Sequence, residues 1–224
     1  MANTIKQKRG TSDPSASDLV VGELALNTTD GGVFTKTDGG TVVEVGAGGL
    51  SNNSDQSRSI GVGTSTLGSE TSGNDNTAFG YESQSVTSTG NWNTSFGSGS
   101  LYTNGSGHSN TASGRRSLYN NTTGQENVAV GNRALQANTT AYGNTAVGNE
   151  ALNATVTGAE ITAVGYKALY SSTVDKGVAV GFEAAYSSTT ASGVTYLGWK
   201  TGRSTTTGSD NTGAGAGALE GVTT

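Results

Sequence analysis

The few side chains in this sequence that could do chemistry do not stand in a catalytic arrangement. His108 is the only histidine, and it lies in a polar stretch between Gly107 and Ser109. A nucleophile–base–acid triad requires a histidine held beside both of its partners. A solvated loop residue is therefore the simpler interpretation of His108. The absence of cysteine excludes thiolate catalysis, thiolate metal sites and disulfides.

The carboxylates and the glycine-rich stretches fail the same test. Glu82, Glu150 and Glu183 each lie two residues after a glycine that follows Phe or Val, and paired carboxylates can hydrolyse glycans. Ser65 and Gly99 occupy the same position elsewhere, so the position is not kept acidic. Short glycine-rich matches at 61–63, 97–100 and 213–215 lack the Gly-Lys-Ser sequence or the triad partners that phosphate loops and nucleophile elbows need. We predict no enzyme activity, no cofactor and no metal site.

Composition and charge exclude further classes of function. Glycine supplies 36 of 224 residues and apolar residues only 32%, which is typical of a disordered chain or of a repetitive β-structure with a thin core. The net charge of −5 is small for a disordered chain, and the scattered basic residues do not predict nucleic-acid binding. We interpret the one basic cluster, Lys6, Lys8 and Arg9, as a solvated terminus. No apolar run has the length of a membrane span or a signal-peptide core, so we expect synthesis in a cytoplasm and no membrane insertion.

A repeat of seventeen residues organises most of the chain. One glycine recurs at the same position of every unit, and we term it the anchor: Gly63, Gly80, Gly97, Gly114, Gly131, Gly148, Gly165, Gly181, Gly198 and Gly215. The spacing is seventeen residues except for sixteen between Gly165 and Gly181. Such units stack as coils, because one unit cannot bury its own apolar face. Each glycine would weaken a helix by about 1 kcal/mol. The sequence therefore predicts an all-β protein, a parallel β-solenoid or β-roll of ten coils over residues 57–219.

The three residues before each anchor predict a strand. The third residue before it is β-branched, the second is mostly small and the first is mostly large and apolar, as in Thr145-Ala146-Val147. This alternation puts the first and third residues on one face, which we predict to be the core, with the threonines buried there. The small residues would then face outward and let chains pack side by side. Because the core is thin for seventeen ordered residues per coil, we expect an oligomer, preferably a trimer.

Two further columns support coil stacking. Leucine recurs four residues after the anchor in most units and predicts a second apolar column. Asparagine recurs four residues before the anchor, at Asn76, Asn93, Asn110, Asn127, Asn144 and Asn211. Identical amides on neighbouring coils can bond to one another or to the backbone of the next coil, so we predict an asparagine ladder. The rest of each unit has turn chemistry.

The residues 144–152 (Asn-Thr-Ala-Val-Gly-Asn-Glu-Ala-Leu) and 161–169 (Ile-Thr-Ala-Val-Gly-Tyr-Lys-Ala-Leu) resemble a known pattern. They are similar to the head repeats of YadA-like trimeric adhesins and to the similar repeats of bacteriophage tail fibres. The resemblance covers the repeat region and implies a left-handed parallel β-roll, trimerised along its axis, with a role in attachment. The partners it implies are two further copies of the chain, other virion tail proteins, and a host surface glycan or a distal fibre protein.

Residues 1–46 are predicted to form a separate module. Apolar runs alternate with Asp-Gly-Gly turns and indicate a small β-meander. Its apolar residues are a candidate docking segment: Leu24, Leu26, Val33, Phe34, Val42, Val43 and Val45. The module looks like the N-terminal part of phage tail-fibre proteins, and in those proteins this part docks on the virion. An autotransporter adhesin would instead need a signal peptide, a coiled-coil stalk and a membrane anchor. We expect a linker at 47–56 and a tail at 220–224, where a partner covers the last coil or a longer fibre continues.

Aromatic residues gather in the later coils. Six of them are predicted to form a stripe: Tyr166, Tyr170, Phe182, Tyr186, Tyr196 and Trp199. The stripe could stack sugars of a host surface, or it could pack between subunits, as aromatic side chains do at interfaces. The shortened unit lies in the same region, and the leucine column fails there at Ala185 and Gly202. This part of the rod is the first place to look for a specialised function.

Two functions remain open on the sequence alone. The first is a structural virion protein, a tail fibre or similar appendage, located on the virion through residues 1–46. Its trimeric β-roll would project for host attachment or connect to a distal fibre part. The second is a free-standing adhesive or ice-binding β-solenoid. Ice binding would need an exposed, regular threonine face, and the predicted burial of the threonine column counts against it.

Overall fold

A computed structural model of the chain describes residues 8–10, 24–27, 33–36, 42–44, 59–68, 72–87, 89–172, 175–189 and 192–221. This part of the chain consists of strands and turns and contains no helix. Its strands are β1 (Lys8–Gly10), β2 (Leu24–Asn27), β3 (Val33–Lys36), β4 (Val42–Glu44), β5 (Ile60–Val62), β6 (Thr77–Phe79), β7 (Thr94–Phe96), β8 (Thr111–Ser113), β9 (Val128–Val130), β10 (Thr145–Val147), β11 (Thr162–Val164), β12 (Val178–Val180), β13 (Thr195–Leu197) and β14 (Thr212–Ala214).

The first four strands form a sheet of their own, in the order β1-β2-β3-β4. Strands β2, β3 and β4 pair antiparallel, with Ala25 opposite Phe34 and Thr35 opposite Val43, which confirms the meander. Strand β1 pairs parallel to β2; the sequence did not indicate it, because Lys-Arg-Gly has no β-forming residue. Of the candidate docking residues, Leu24, Leu26, Val33, Phe34, Val42 and Val43 lie in these strands, whereas Val45 and the predicted linker lie outside the described residues.

The other strands, β5 to β14, form one ten-stranded parallel sheet in which each strand pairs with the next along the chain. The register shifts by one repeat at each step, so that Ala146 pairs with Ala163. Each repeat is therefore one coil, numbered 1 to 10 after its anchor, and the predicted parallel β-solenoid is confirmed. The register also holds across the short unit, where Thr162 pairs with Val178. The missing residue is thus taken from the turns and not from the strands.

The strands face the opposite way from the prediction. The small residue at the centre of each strand points into the coil, and Ala146 and Ala163 have no exposed surface. The residues on either side point outward, as the exposed Phe96 and Leu197 show. The predictions of an apolar core at these outer positions and of an outward column of small residues are therefore wrong. The physical reason is width, because the interior of each coil already holds larger side chains and only a small one fits opposite them.

Leucine and alanine on the inner walls build the core. Three positions of each coil pack together: the leucine four residues after the anchor, the small residue that directly precedes this leucine, and the alanine at the centre of the strand. Fully buried members include Leu101, Leu118, Leu135, Leu152, Leu169, Ala134, Ala151, Ala168 and Ala184. The predicted leucine column is thus confirmed, with Leu219 of the last coil only partly buried.

The asparagine ladder is confirmed from Asn76 to Asn144, where it lies in the buried interior, whereas Asn211 bonds within its own coil and is outside the ladder. The Asn110 side-chain amide donates to Asn93 Oδ1 (3.1 Å) and to the Gly124 carbonyl (2.9 Å). Asn93 Oδ1 also accepts a hydrogen bond from the backbone N–H of Asn110 (3.0 Å). Equivalent bonds run from Asn76 onward until Ile161 takes the position in coil 7. The ladder therefore aligns coils 2 to 6 through side chains as well as through the backbone.

A second asparagine ladder lies seven residues after the anchor and was not predicted. Asn121 donates to Asn104 Oδ1, and Asn138 donates to Asn121 Oδ1, both at 2.7 Å. The Asn121 amide also donates to the Gly124 carbonyl (2.9 Å), which is the acceptor used by Asn110. The seventeen-residue spacing of these asparagines is the sequence signal for this ladder, but asparagine in a polar stretch is equally typical of a turn.

Each coil bends at backbone conformations that favour glycine. The anchor Gly148 has φ +138°, and a Cβ there would lie 2.6 Å from the carbonyl carbon of Gly165 in the next coil. Both the conformation and the close stacking of coils therefore require glycine. Residues two and four after the anchor and five before it are left-handed as well, for example Glu150 (φ +57°), Leu152 (φ +51°) and Glu160 (φ +58°). The sequence did not indicate these positions, because such residues rarely adopt that conformation.

Candidate binding surfaces

The outer side of the ten-stranded sheet, which we term the β face, carries the residues three and one before each anchor. They are Ile60, Val62, Thr77, Phe79, Thr94, Phe96, Thr111, Ser113, Val128, Val130, Thr145, Val147, Thr162, Val164, Val178, Val180, Thr195, Leu197, Thr212 and Ala214. Phe96 is 45% exposed and Leu197 44% exposed, and Phe79 stacks on Phe96 with ring centroids 4.8 Å apart. None of these positions is charged, so an uncharged, largely apolar strip runs along all ten coils.

The threonines three before the anchor lie on this outer face, so their predicted burial is wrong. Thr111 and Thr212 are exposed, and the other threonines of the column are half-buried. In a strand, residues two positions apart share a face, so the threonines three before the anchor point outward with the apolar residues one before it. The objection to an ice-binding face that rested on their burial no longer holds.

The residues one, two and five after each anchor form a second surface, the turn face. Five of the six predicted stripe residues lie on it in successive coils. Tyr166 stacks on Phe182 with centroids 5.1 Å apart and planes at 16°. Tyr170 stacks on Tyr186 with centroids 5.1 Å apart and planes at 6°, and Trp199 is exposed one coil further on. The structure thus brings these five aromatic residues together along the solenoid axis.

Stacking limits what the rings of the turn face can bind. In a parallel stack each ring covers one face of its neighbour and turns its edge toward solvent. A sugar packs its apolar side against an open aromatic face, so each pair offers at most its two outer faces. Tyr102 and Tyr119 in earlier coils stack in the same way, with centroids 4.9 Å apart. The arrangement suits aromatic ladders that stabilise the stacking of coils.

Charged side chains of the turn face pair with one another and with the rings. Glu150 lies 3.4 Å from Lys167 Nζ and 3.7 Å from Arg133 Nη1, and Glu183 accepts a hydrogen bond from Arg203 (2.9 Å). A hydrogen bond with Tyr166, followed by the electrostatic interactions with Tyr166 and Glu150, raises the pKa of Lys167 against the opposing effect of desolvation. Glu150 and Glu183 are therefore each matched to a cation, which is not the carboxylate pair of a glycan hydrolase.

The remaining candidate carboxylate lies in coil 2. A hydrogen bond between Tyr81 and Glu82, with the charge of Glu82, raises the pKa of Tyr81. A tyrosine with a raised pKa is neutral at physiological pH and cannot serve there as a base. This pair is therefore a surface contact of the turn face.

Tyr196 does not belong to the stripe, and its prediction as a stripe residue is wrong. It replaces the small central residue of β13 and lies in the core with 0% exposure. Its ring takes space that leucine fills in other coils, because a Cβ on Gly202 would lie 2.6 Å from the ring. Ala185 holds the same leucine position one coil earlier. Two departures from the repeat therefore compensate each other: the large Tyr196 stands where other strands have a small residue, and the small Ala185 and Gly202 stand where other coils have leucine.

The other candidate residues form no reactive site in the part of the chain that the structure describes. His108 is half-buried, with Nδ1 3.5 Å from Ser109 Oγ. Among the described residues, no group of three His, Asp or Glu side chains could hold a metal ion. No helix in those ranges is long and apolar enough to cross a membrane.

Two exposed aromatic residues of the loops were not singled out from the sequence. Trp92 lies five residues before its anchor and Tyr142 six residues before its own. Their signal was an aromatic side chain inside an otherwise polar turn segment. They lie on a third side of the coil, away from the β face and the turn face.

Comparison of the chain with protein-family models, with curated proteins and with solved structures gave no match. The coil itself and its exposed surfaces are therefore the features from which a function can be inferred.

Proposed function

We propose that the chain is a structural virion protein, a tail fibre or similar appendage, whose solenoid forms a homotrimer through the β face. Residues 1–46 dock on other virion tail proteins, and the solenoid attaches to a host surface glycan or connects to a distal fibre protein. The resemblance of the repeats to those of trimeric adhesins and phage fibres supports this proposal. The observation that carries it is the uncharged β face, whose apolar side chains are exposed or half-buried in the single chain.

An exposed surface of this kind is unfavourable in water. Ten strands about 4.8 Å apart, each three residues long, make a strip of roughly 50 by 10 Å. Apolar patches of that size usually mark interaction sites in soluble proteins. The strip lacks the charged residues that isolated sheet surfaces carry and that interface cores exclude. Three copies around one axis would bury the strips against one another, without any need for the column of small residues.

We expect the purified chain to sediment as a trimer and the double variant Val130→Glu, Val180→Glu to sediment as a monomer. Both valines lie on the β face, and each substitution would place a charge inside an interface. Val156→Glu is the matched control, because Val156 is exposed but lies outside the β face. Analytical ultracentrifugation measures the mass, and circular dichroism checks that each variant is folded. A monomeric wild-type chain or a trimeric double variant would contradict the proposal.

The virion role is tested separately on particles. We expect antibodies raised against the solenoid to label an appendage in electron micrographs of intact particles. The chain should also remain with the particles through a density gradient. A chain recovered only free of particles would exclude the appendage and favour a free-standing solenoid.

A free-standing ice-binding solenoid is the second candidate, and the outward threonines favour it. Thr77, Thr94 and Thr111 follow one another on consecutive coils at a spacing of about 4.8 Å. The adjacent column is apolar, with Phe79 and Phe96, and does not supply a second row of threonines. Thermal hysteresis separates the candidates, since a monomer that depresses the freezing point would support ice binding and a trimer without hysteresis would support the fibre.

A further inference from the structure

The third side of the solenoid, which we term the loop corner, consists of the residues six and five before the anchors of coils 2 to 7. They are Asn74 and Asp75, Asn91 and Trp92, His108 and Ser109, Gln125 and Glu126, Tyr142 and Gly143, and Ala159 and Glu160. Backbone hydrogen bonds connect the corner from coil to coil. The N–H of Glu126 donates to the His108 carbonyl (3.0 Å), and the N–H of Gly143 donates to the Gln125 carbonyl (3.1 Å). The corner is therefore a fixed ridge parallel to the solenoid axis.

Trp92 stands on this ridge for no evident structural benefit. It is 61% exposed, the largest exposure among the exposed apolar side chains of the described residues. Its φ is +56°, a conformation that costs a bulky residue about 1–2 kcal/mol. The ring meets His108 edge to face, with centroids 6.5 Å apart and planes at 85°. A contact of that geometry covers at most one face of the indole, unlike the parallel stacks of the turn face.

Tyr142 supplies a second aromatic ring on the same ridge. It is 47% exposed and lies three coils beyond Trp92, which corresponds to about 14 Å along the axis. Coils 4 and 5 place the half-buried His108 and Gln125 and the exposed Ser109 and Glu126 between the two rings. Imidazole and amide groups both donate and accept hydrogen bonds. The ridge thus presents, in order, an aromatic ring, a group of polar side chains and a second aromatic ring.

We propose that the loop corner binds a neutral oligosaccharide, laid along the solenoid axis with one sugar ring on Trp92 and another on Tyr142. Aromatic faces suit the apolar faces of pyranose rings, and the polar groups between them suit sugar hydroxyls. A spacing of about 14 Å accommodates a chain of three to four pyranose units. The charged residues of the corner, Asp75, Glu126 and Glu160, are all acidic, which disfavours uronic and sialic acids. The inference rests on the proposed function, for which it identifies the chemical class of the host receptor.

The test uses the full chain and three neutral probes, maltotetraose, cellotetraose and chitotetraose, with tetragalacturonate as an acidic comparison. We expect isothermal titration calorimetry to detect saturable binding of at least one neutral probe and none of tetragalacturonate. Trp92→Asn removes the ring and keeps the backbone suited to positive φ; it should weaken binding about 10-fold, and Tyr142→Ala about 5-fold. Trp199→Phe is the matched control and should bind within about 2-fold of the wild type.

Fluorescence gives an independent signal. The chain has two tryptophans, so Trp199→Phe leaves Trp92 as the sole indole, whose emission should shift on sugar binding. Binding of no neutral probe, equal affinity of wild type and Trp92→Asn, or a loss of trimer in Trp92→Asn would overturn the inference. Sugar binding by a chain that sediments as a monomer would uphold the inference while the proposed trimeric fibre fails.

Discussion

The substitution Gly148→Ala is expected to lower the free energy of unfolding by about 4 kcal/mol. Two costs add at this anchor. A residue other than glycine at φ +138° carries about 1–3 kcal/mol of strain. The new Cβ would also lie 2.6 Å from the carbonyl carbon of Gly165, a contact that is relieved only by moving two coils apart. Chemical denaturation followed by circular dichroism, at one fixed protein concentration, measures the change.

The last coil offers a matched control. Gly215 has φ +113°, and a Cβ there would have no atom within 4 Å. Gly215→Ala should therefore show only the conformational cost, about 1–3 kcal/mol. The difference between the two variants measures the close contact of stacked coils. Equal losses at both anchors would mean that this contact does not require glycine.

The substitution Asn127→Leu is expected to lower the free energy of unfolding by about 3 kcal/mol. Leucine has the same number and branching of side-chain heavy atoms as asparagine, so no cavity is left and the loss reports hydrogen bonds. The fully buried Asn127 amide donates to Asn110 Oδ1 (3.1 Å) and to the Ala141 carbonyl (2.9 Å), and its Oδ1 accepts from the N–H of Asn144 (3.0 Å). Removal leaves buried groups without their partners, each at a cost of about 1–3 kcal/mol.

Denaturation and amide hydrogen exchange measure the ladder together. The Asn144 amide should exchange faster in Asn127→Leu, because it loses its acceptor. Asn211→Leu is the control, since Asn211 is half-buried and bonds to the Gly208 carbonyl within its own coil (2.7 Å). Its substitution should cost about 1 kcal/mol. A loss at Asn127 no larger than the loss at Asn211 would show that the ladder adds little to stability.

Sequence periodicity was sufficient to predict the solenoid, its strands, the leucine column and the first asparagine ladder. Each of these follows from a residue type that recurs at a fixed distance from the anchor, so that stacking places like beside like. The second ladder follows the same rule through Asn104, Asn121 and Asn138, but it lies where polar residues are expected anyway. Recurrence at the repeat spacing was therefore a better signal than local turn composition.

Which face of each strand points into the coil could not be predicted from the alternation of residue types. Thr145-Ala146-Val147 shows which residues share a face, but the pattern is equally satisfied with either face inside. The buried face is determined by the number of large side chains that the interior of a coil can hold. Leucine and asparagine already fill this interior, so only the small central residue of the strand fits there. Tyr196 shows the same limit, because its burial depends on the space left by Gly202 in the same coil. The space available to a side chain depends on all the positions of the assembled coil, so it cannot be read from one column of the repeat.

The asparagine ladders have a consequence for how the rod would respond to force. Up to Asn144, adjacent coils of the laddered region are joined by side-chain amides as well as by backbone hydrogen bonds. In later coils Ile161 and Val194 fill the same interior position with apolar groups. A pull along the axis would be shared by the buried asparagine amides and the backbone in the first region. In the second region the backbone would share it with the aromatic stacks and the Glu183–Arg203 pair of the turn face, which lie at the surface and add less than buried amides. We expect the coils after Gly165 to open first under tension, while the laddered coils remain closed.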